Sequence, residues 1–88
     1  MRQYLAEFLG SIVFIYVILA TGHPLAIGAT LALVILITAN ISGGHMNPAV
    51  SVAMAAAGKL PVQELVPYCL AQIIGGLIAL EIYKRYRL

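Results

Sequence analysis

Charge and cysteine are both scarce in this chain, and each shortage excludes a class of protein. Only 9% of the residues are charged, against 62% hydrophobic, whereas a soluble domain carries about a quarter charged. A body of 88 residues is too small to hide that much Leu, Ile, Val and Ala from water, so lipid is the expected solvent for much of its surface. The net charge is only +2, with the basic residues at the ends and in one loop; without a basic stripe, no nucleic-acid partner is expected. The one cysteine, Cys69, sits in an apolar run. It cannot close an internal disulfide, and no second ligand stands near it for a metal. No nucleophile with a base, acid–base pair or phosphate loop occurs, so neither an enzyme nor a cofactor is expected.

What is abundant is apolar sequence, in three segments at about residues 4–21, 25–41 and 62–83. A spanning helix needs roughly 20 residues, with a working range near 17–25. The first two segments are at the short end and the third is comfortable. Gly22-His23-Pro24 joins the first two, and Pro24 suits a first helical turn, where no donor is missed. The first segment contains Glu7 and has no A-x-A-like cleavage site, so it is expected to be a retained helix rather than a signal peptide. Small residues recur at four-residue spacing in all three: Ala6 and Gly10, Gly28 and Ala32, and Ala71, Gly75 and Ala79. Such stripes predict close helix packing in lipid.

The interval 41–61 is the most informative. Ser42-Gly43-Gly44-His45 is flexible and polar, and Asn47-Pro48 pairs a strong N-cap with the residue favoured at the first helical position. Ala49 to Ala57 then reads as a helix of about nine residues, ~14 Å long and too short to cross a bilayer. Gly58 is a C-terminal stop, Lys59 suits the negative helix end, and Pro61 starts the next helix. An irregular lead-in and a short helix between two spanning segments predict a re-entrant half-helix, tolerated only where protein or a water-filled cavity surrounds it. Its unpaired N–H groups would point to the membrane centre with a positive dipole end. Capping would fix Asn47 and leave its amide NH2 free to donate to a passing oxygen. Glu7 is a carboxylate within a spanning segment, by default a functional feature. Gln72, polar and mid-helix, is expected to bond another helix or the loop. Glu81 precedes Lys84 and Arg85 by three and four residues, the spacing of a surface ion pair.

Ile41-Ser42-Gly43-Gly44-His45-Met46-Asn47-Pro48-Ala49-Val50 resembles the first pore loop of the aquaporin, or major intrinsic protein, family. Ala6-Glu7-Phe8-Leu9-Gly10 resembles its first-helix signature, and Pro67-Tyr68-Cys69-Leu70-Ala71-Gln72-Ile73-Ile74-Gly75-Gly76 its third helix. The likeness covers nearly the whole chain and is greatest to bacterial water channels. It implies an all-α membrane protein, three transmembrane helices plus one re-entrant half-helix, that is, half of an aquaporin fold forming a single repeat over 1–88. It implies passive conduction of water or small neutral solutes such as glycerol, with half-helix dipoles excluding protons and cations as in known aquaporin pores. Glu7 would hold the pore loop near Ser42 to His45, with His45 and Gln72 bracing it. Asn47, Pro48 and Ala49 would form the pore motif, and Ile27 the second-helix filter position. Asn40 stands where a histidine often precedes the loop.

Family members have two inverted repeats, and these residues contain only the first. The second Asn-Pro-Ala is absent, with the arginine that follows it. One repeat alone cannot enclose a pore, because its half-helix would face lipid with unpaired donors. The missing half is either a different second-half chain or a second copy of this one, inverted about a two-fold axis in the membrane plane. Arg2 and Lys59 fall on one side of the bilayer and Lys84, Arg85 and Arg87 on the other. Two against three is close to the balance that insertion in both orientations requires, so an antiparallel homodimer is expected. Its constriction would be lined by Ile27 of one chain and Ile35, Gly44 and Val50 of the other, with Val50 in place of the arginine: wide, apolar and uncharged. Four pores side by side, as in the family, would take eight chains. A non-conducting scaffold that keeps the fold is the competing expectation.

Overall fold

The computed structural model describes residues 1–87, which are helical, with no strand among them. Helix α1 spans Arg2–Thr21, α2 Pro24–Thr38, α3 Pro48–Ala56 and α4 Leu65–Arg85. α1 ends where Gly22 turns left-handed (φ 56°) and donates to Ile18 O, a conformation glycine adopts without a Cβ penalty. Pro24 then opens α2 at its first turn. α3 opens at Pro48 behind an extended Asn47 and closes at Gly58 (φ 77°), with Lys59 N–H bonding Met54 O.

Several boundaries differ from the sequence reading. α1 begins at Arg2 rather than near Tyr4. α2 stops at Thr38, not Ile41; residues 39–42 continue as turns, in which Ile41 N–H tightens to Thr38 O while Ser42 and Gly43 N–H groups still bond Thr38 O and Ala39 O. The apolar run continues there while the helix does not. Pro61 is followed by a 3-10 turn, Val62–Glu64, before α4 begins. Two helices, Arg2–Thr21 and Val62–Arg85, are long and apolar enough to cross a membrane, whereas α2 has 15 residues and is ~22 Å long.

Burial is inverted relative to a soluble domain. The interior holds Glu7, Ser11, Thr38, Ser42, His45, Ser51 and Gln72, while Leu25, Leu36, Val66, Ile73 and Leu77 are exposed. α4 packs against α1 and α3, and α1 against α2. Tyr68, Gln72, Gly75 and Ala79 form the buried stripe of α4, with Tyr68 against Tyr4, Gln72 bonded to Glu7 and Gly75 against Phe8 and Ser11 of α1. Gly75 lets α4 approach α1 closely: a Cβ there would lie 2.7 Å from Phe8 O and 3.1 Å from Ser11 Cβ. The Gly28–Ala32 pair does not pack within the chain. Both are exposed, with nothing within 4 Å of a Cβ at Gly28; α2 instead turns Val34 and Thr38 inward. Gly75→Ala is therefore expected to destabilise by about 1–3 kcal/mol, since backbone must move. Gly28→Ala should be neutral or stabilise by up to about 1 kcal/mol through helix propensity. Unfolding midpoints in mixed detergent micelles, followed by circular dichroism, check both.

Candidate functional site

The segment between α2 and α3 is drawn in around one carboxylate. Glu7, on the inner face of α1, is completely buried. Its Oε2 accepts from Ser42 Oγ at 2.6 Å and His45 N–H at 3.0 Å. Its Oε1 accepts from Met46 N–H at 2.8 Å and Gln72 Nε2 at 2.8 Å. Four donors fill the lone pairs of a carboxylate, which offsets the desolvation of an acidic group at this depth. Two of those donors are backbone groups of consecutive residues, so the carboxylate sets the path of the chain itself.

That path needs unusual backbone. Gly43 (φ 90°) and Gly44 (φ 67°) take left-handed conformations at little cost. At Gly44 a Cβ would stand 3.2 Å from Ile35 Cα, so a side chain there would press the loop off α2 on top of straining its left-handed backbone. Met46 (φ 54°) also is left-handed, a conformation disfavoured for a residue with a side chain.

A second ring of bonds ties the loop to α3 and α4. Gln72 spends its other amide hydrogen on Ser51 Oγ at 2.9 Å. His45 Nδ1 lies 2.8 Å from the same oxygen, hydrogen-bonded in either tautomer. Tyr68 O–H donates to Ser42 O at 2.8 Å, and its ring lies 5.2 Å from that of His45. Glu7, Ser42, His45, Ser51, Tyr68 and Gln72 thus form one buried network. Beside it, an open recess of about 530 Å³ is lined by Gln3, Ser42, Gly43, His45, Lys59, Glu64 and Tyr68, among others.

Asn47 stands outside the network. It is exposed; its Oδ1 accepts from Ala49 N–H at 2.8 Å, and its Nδ2 has no partner among the described residues. The α3 N-terminus therefore presents an amide donor and a positive dipole end to the outside of the chain. Pro48 is half-buried at the first turn and Ala49 exposed. Of the four residues expected at a constriction, Ile35 and Gly44 touch. Ile27 is half-buried, eight residues earlier on α2, ~12 Å along its axis. Val50 is exposed on the first turn of α3. Met46, Ser51 and Tyr68 are parts of the site to which sequence reasoning assigned no role. Ser51 carried a usable signal, as the one hydroxyl in an Ala- and Val-rich helix. Met46 carried none, because nothing in a methionine marks a left-handed backbone.

The sequence matches the major intrinsic protein family model over residues 1–87. It is 40% identical to glycerol uptake facilitator protein-like 6 of Lactiplantibacillus plantarum, over 98% of this chain and 44% of that protein. It is 35% identical to aquaporin Z of Photorhabdus laumondii, over 90% of this chain and 41% of that one. It is 44% identical to aquaporin Z of Brucella melitensis, over 69% of this chain and 27% of the other. The chain spans less than half the length of these relatives. With a family match of that extent and two helices able to cross a bilayer, the chain belongs to the major intrinsic protein family and is an integral membrane protein.

Proposed function

We propose that this chain forms half of a passive channel for water and small neutral solutes such as glycerol, completed by an inverted second copy. α1, α2 with its C-terminal turns, and α4 span the bilayer, and α3 re-enters to mid-depth with Asn47 at its tip. The observation that carries this reading is the unengaged Asn47 amide at an exposed helix N-terminus. The network around Glu7 holds the loop from within while leaving that donor outward, where a passing oxygen can accept from it. A buried N-terminus in hydrocarbon would leave its donors orphaned; a file of water accepts from them, and an oppositely directed α3 shields that end from lipid. The constriction is then lined by Ile27 of one copy and Ile35, Gly44 and Val50 of the other. It carries no cation, and exclusion of protons and cations rests on the two dipole ends.

A different second half in place of the inverted copy is the alternative. It is favoured by the 44% and 41% of the relatives' length that this chain covers. The family is one of transporters rather than enzymes, and four pores side by side would hold eight copies of this chain. Proteoliposomes containing the chain alone test the reading by osmotic swelling: water and glycerol are both expected to enter faster than in protein-free vesicles. Water entry without glycerol contradicts a wide apolar constriction. Entry of neither by an intact helical protein contradicts conduction by the chain alone and leaves the different second half or a scaffold.

A further inference from the structure

Met46 is the one residue other than glycine with a left-handed backbone among the described residues. Glycine would take that conformation freely, so the side chain must be what the position is for. That side chain is 97% buried, at 3% relative exposure, and fills a notch left by Gly10. A Cβ at Gly10 would lie 2.5 Å from Met46 Sδ, 2.7 Å from its Cε and 2.9 Å from Val34 Cγ1. Its N–H is held 2.8 Å from Glu7 Oε1. Glu7 and Gly10 are three residues apart on α1, hence on one face. Met46 is therefore fastened to α1 at two points one turn apart, by its backbone and by its thioether.

Asn47, the next residue, has no such fastening. Its side chain reaches only Ala49 N–H, within its own cap. We infer that Met46 is a positioning residue for Asn47, with Gly10 as its socket: the thioether seated between α1 and Val34 sets the depth and direction of the Asn47 amide. This rests on the channel reading for its consequence, although the positioning itself can be measured without flux. Backbone strain persists where the surroundings over-determine it, and here two independent contacts do so.

Three variants and two readouts test it: water flux per inserted chain in proteoliposomes, and the side-chain amide resonance of 15N-labelled Asn47 in bilayers. Met46→Leu keeps a side chain of similar volume and is expected to retain flux within about threefold, with the Asn47 resonance in place. Met46→Gly relaxes the backbone but empties the socket; flux is expected to fall about tenfold and the resonance to broaden as the amide samples several orientations. Gly10→Ala overfills the socket and is expected to shift the resonance. Met46→Gly with wild-type flux and a sharp, unshifted resonance overturns the inference, since the backbone conformation alone would then suffice. If Met46→Gly fails to insert, Gly10→Ala decides: an unmoved Asn47 resonance overturns the inference and a moved one supports it. Absence of flux in the wild-type chain defeats conduction by the chain alone and leaves the resonances to decide the positioning.

Discussion

Glu7→Gln is expected to destabilise the chain by about 2–4 kcal/mol and to abolish any flux it supports. The reason lies in which donors can adapt. Ser42 can rotate its hydroxyl and Gln72 can turn its amide, but His45 and Met46 present backbone N–H groups to opposite oxygens of the carboxylate. A glutamine at position 7 has one oxygen and one NH2 group. Whichever way it turns, one of those backbone donors faces another donor in a fully buried site. An orphaned buried donor costs about 1–3 kcal/mol, and the remaining bonds lose their charge assistance. Glu81→Gln is the control: Glu81 bonds exposed Lys84 and Arg85 at 3.3 and 3.0 Å, and solvated pairs of that kind contribute little. Unfolding midpoints in mixed micelles should separate the two variants clearly. A Glu7→Gln protein as stable as Glu81→Gln would remove the carboxylate from its central place in the loop.

Asn47→Asp should do the opposite: leave the fold and stop the flow. Aspartate is as good an N-cap as asparagine, and its oxygen can still accept from Ala49 N–H, the bond Asn47 makes at 2.8 Å. A negative charge at a helix N-terminus is, if anything, stabilising. The NH2 donor is lost, however, and a carboxylate holds passing water by stronger, charge-assisted bonds. An extra well of ~1.4 kcal/mol corresponds to tenfold, so water and glycerol flux are expected to fall about tenfold or more at unchanged helicity. Osmotic swelling and circular dichroism on the same proteoliposomes check both halves of the expectation. Unchanged flux would mean that the permeant does not meet residue 47.

The parts of the fold written in side-chain type were legible in the sequence. Asn47-Pro48 marks the start of α3 because a capping oxygen and a fixed φ act locally, and Gly58 marks its end because a left-handed turn excludes most other residues. The end of α2 was not legible. Ala39, Asn40 and Ile41 continue the run past Thr38, and composition does not register where regular helix gives way to turns. Which face of α2 meets α1 was not legible either. Gly28 and Ala32 have the spacing of a close contact, but spacing does not say which face meets α1; within the chain Val34 and Thr38 do. In the site, Glu7 stood out because a carboxylate in an apolar helix must be satisfied. Its partner Met46 did not, since it is bound through its backbone; Ser51, joined to the site through Gln72 and His45, was marked only as a lone hydroxyl.

The measurement closest to the central claim is the depth and mutual distance of α3 in the membrane. A nitroxide on Val52→Cys in a Cys69→Ser background uses an exposed α3 position. The hydrocarbon core is ~30 Å thick, so the proposed channel places the label within about 10 Å of the bilayer centre. It also places labels on two inverted copies within about 20 Å, the width of two packed helices. A label at headgroup depth with no dipolar coupling between copies would contradict the account.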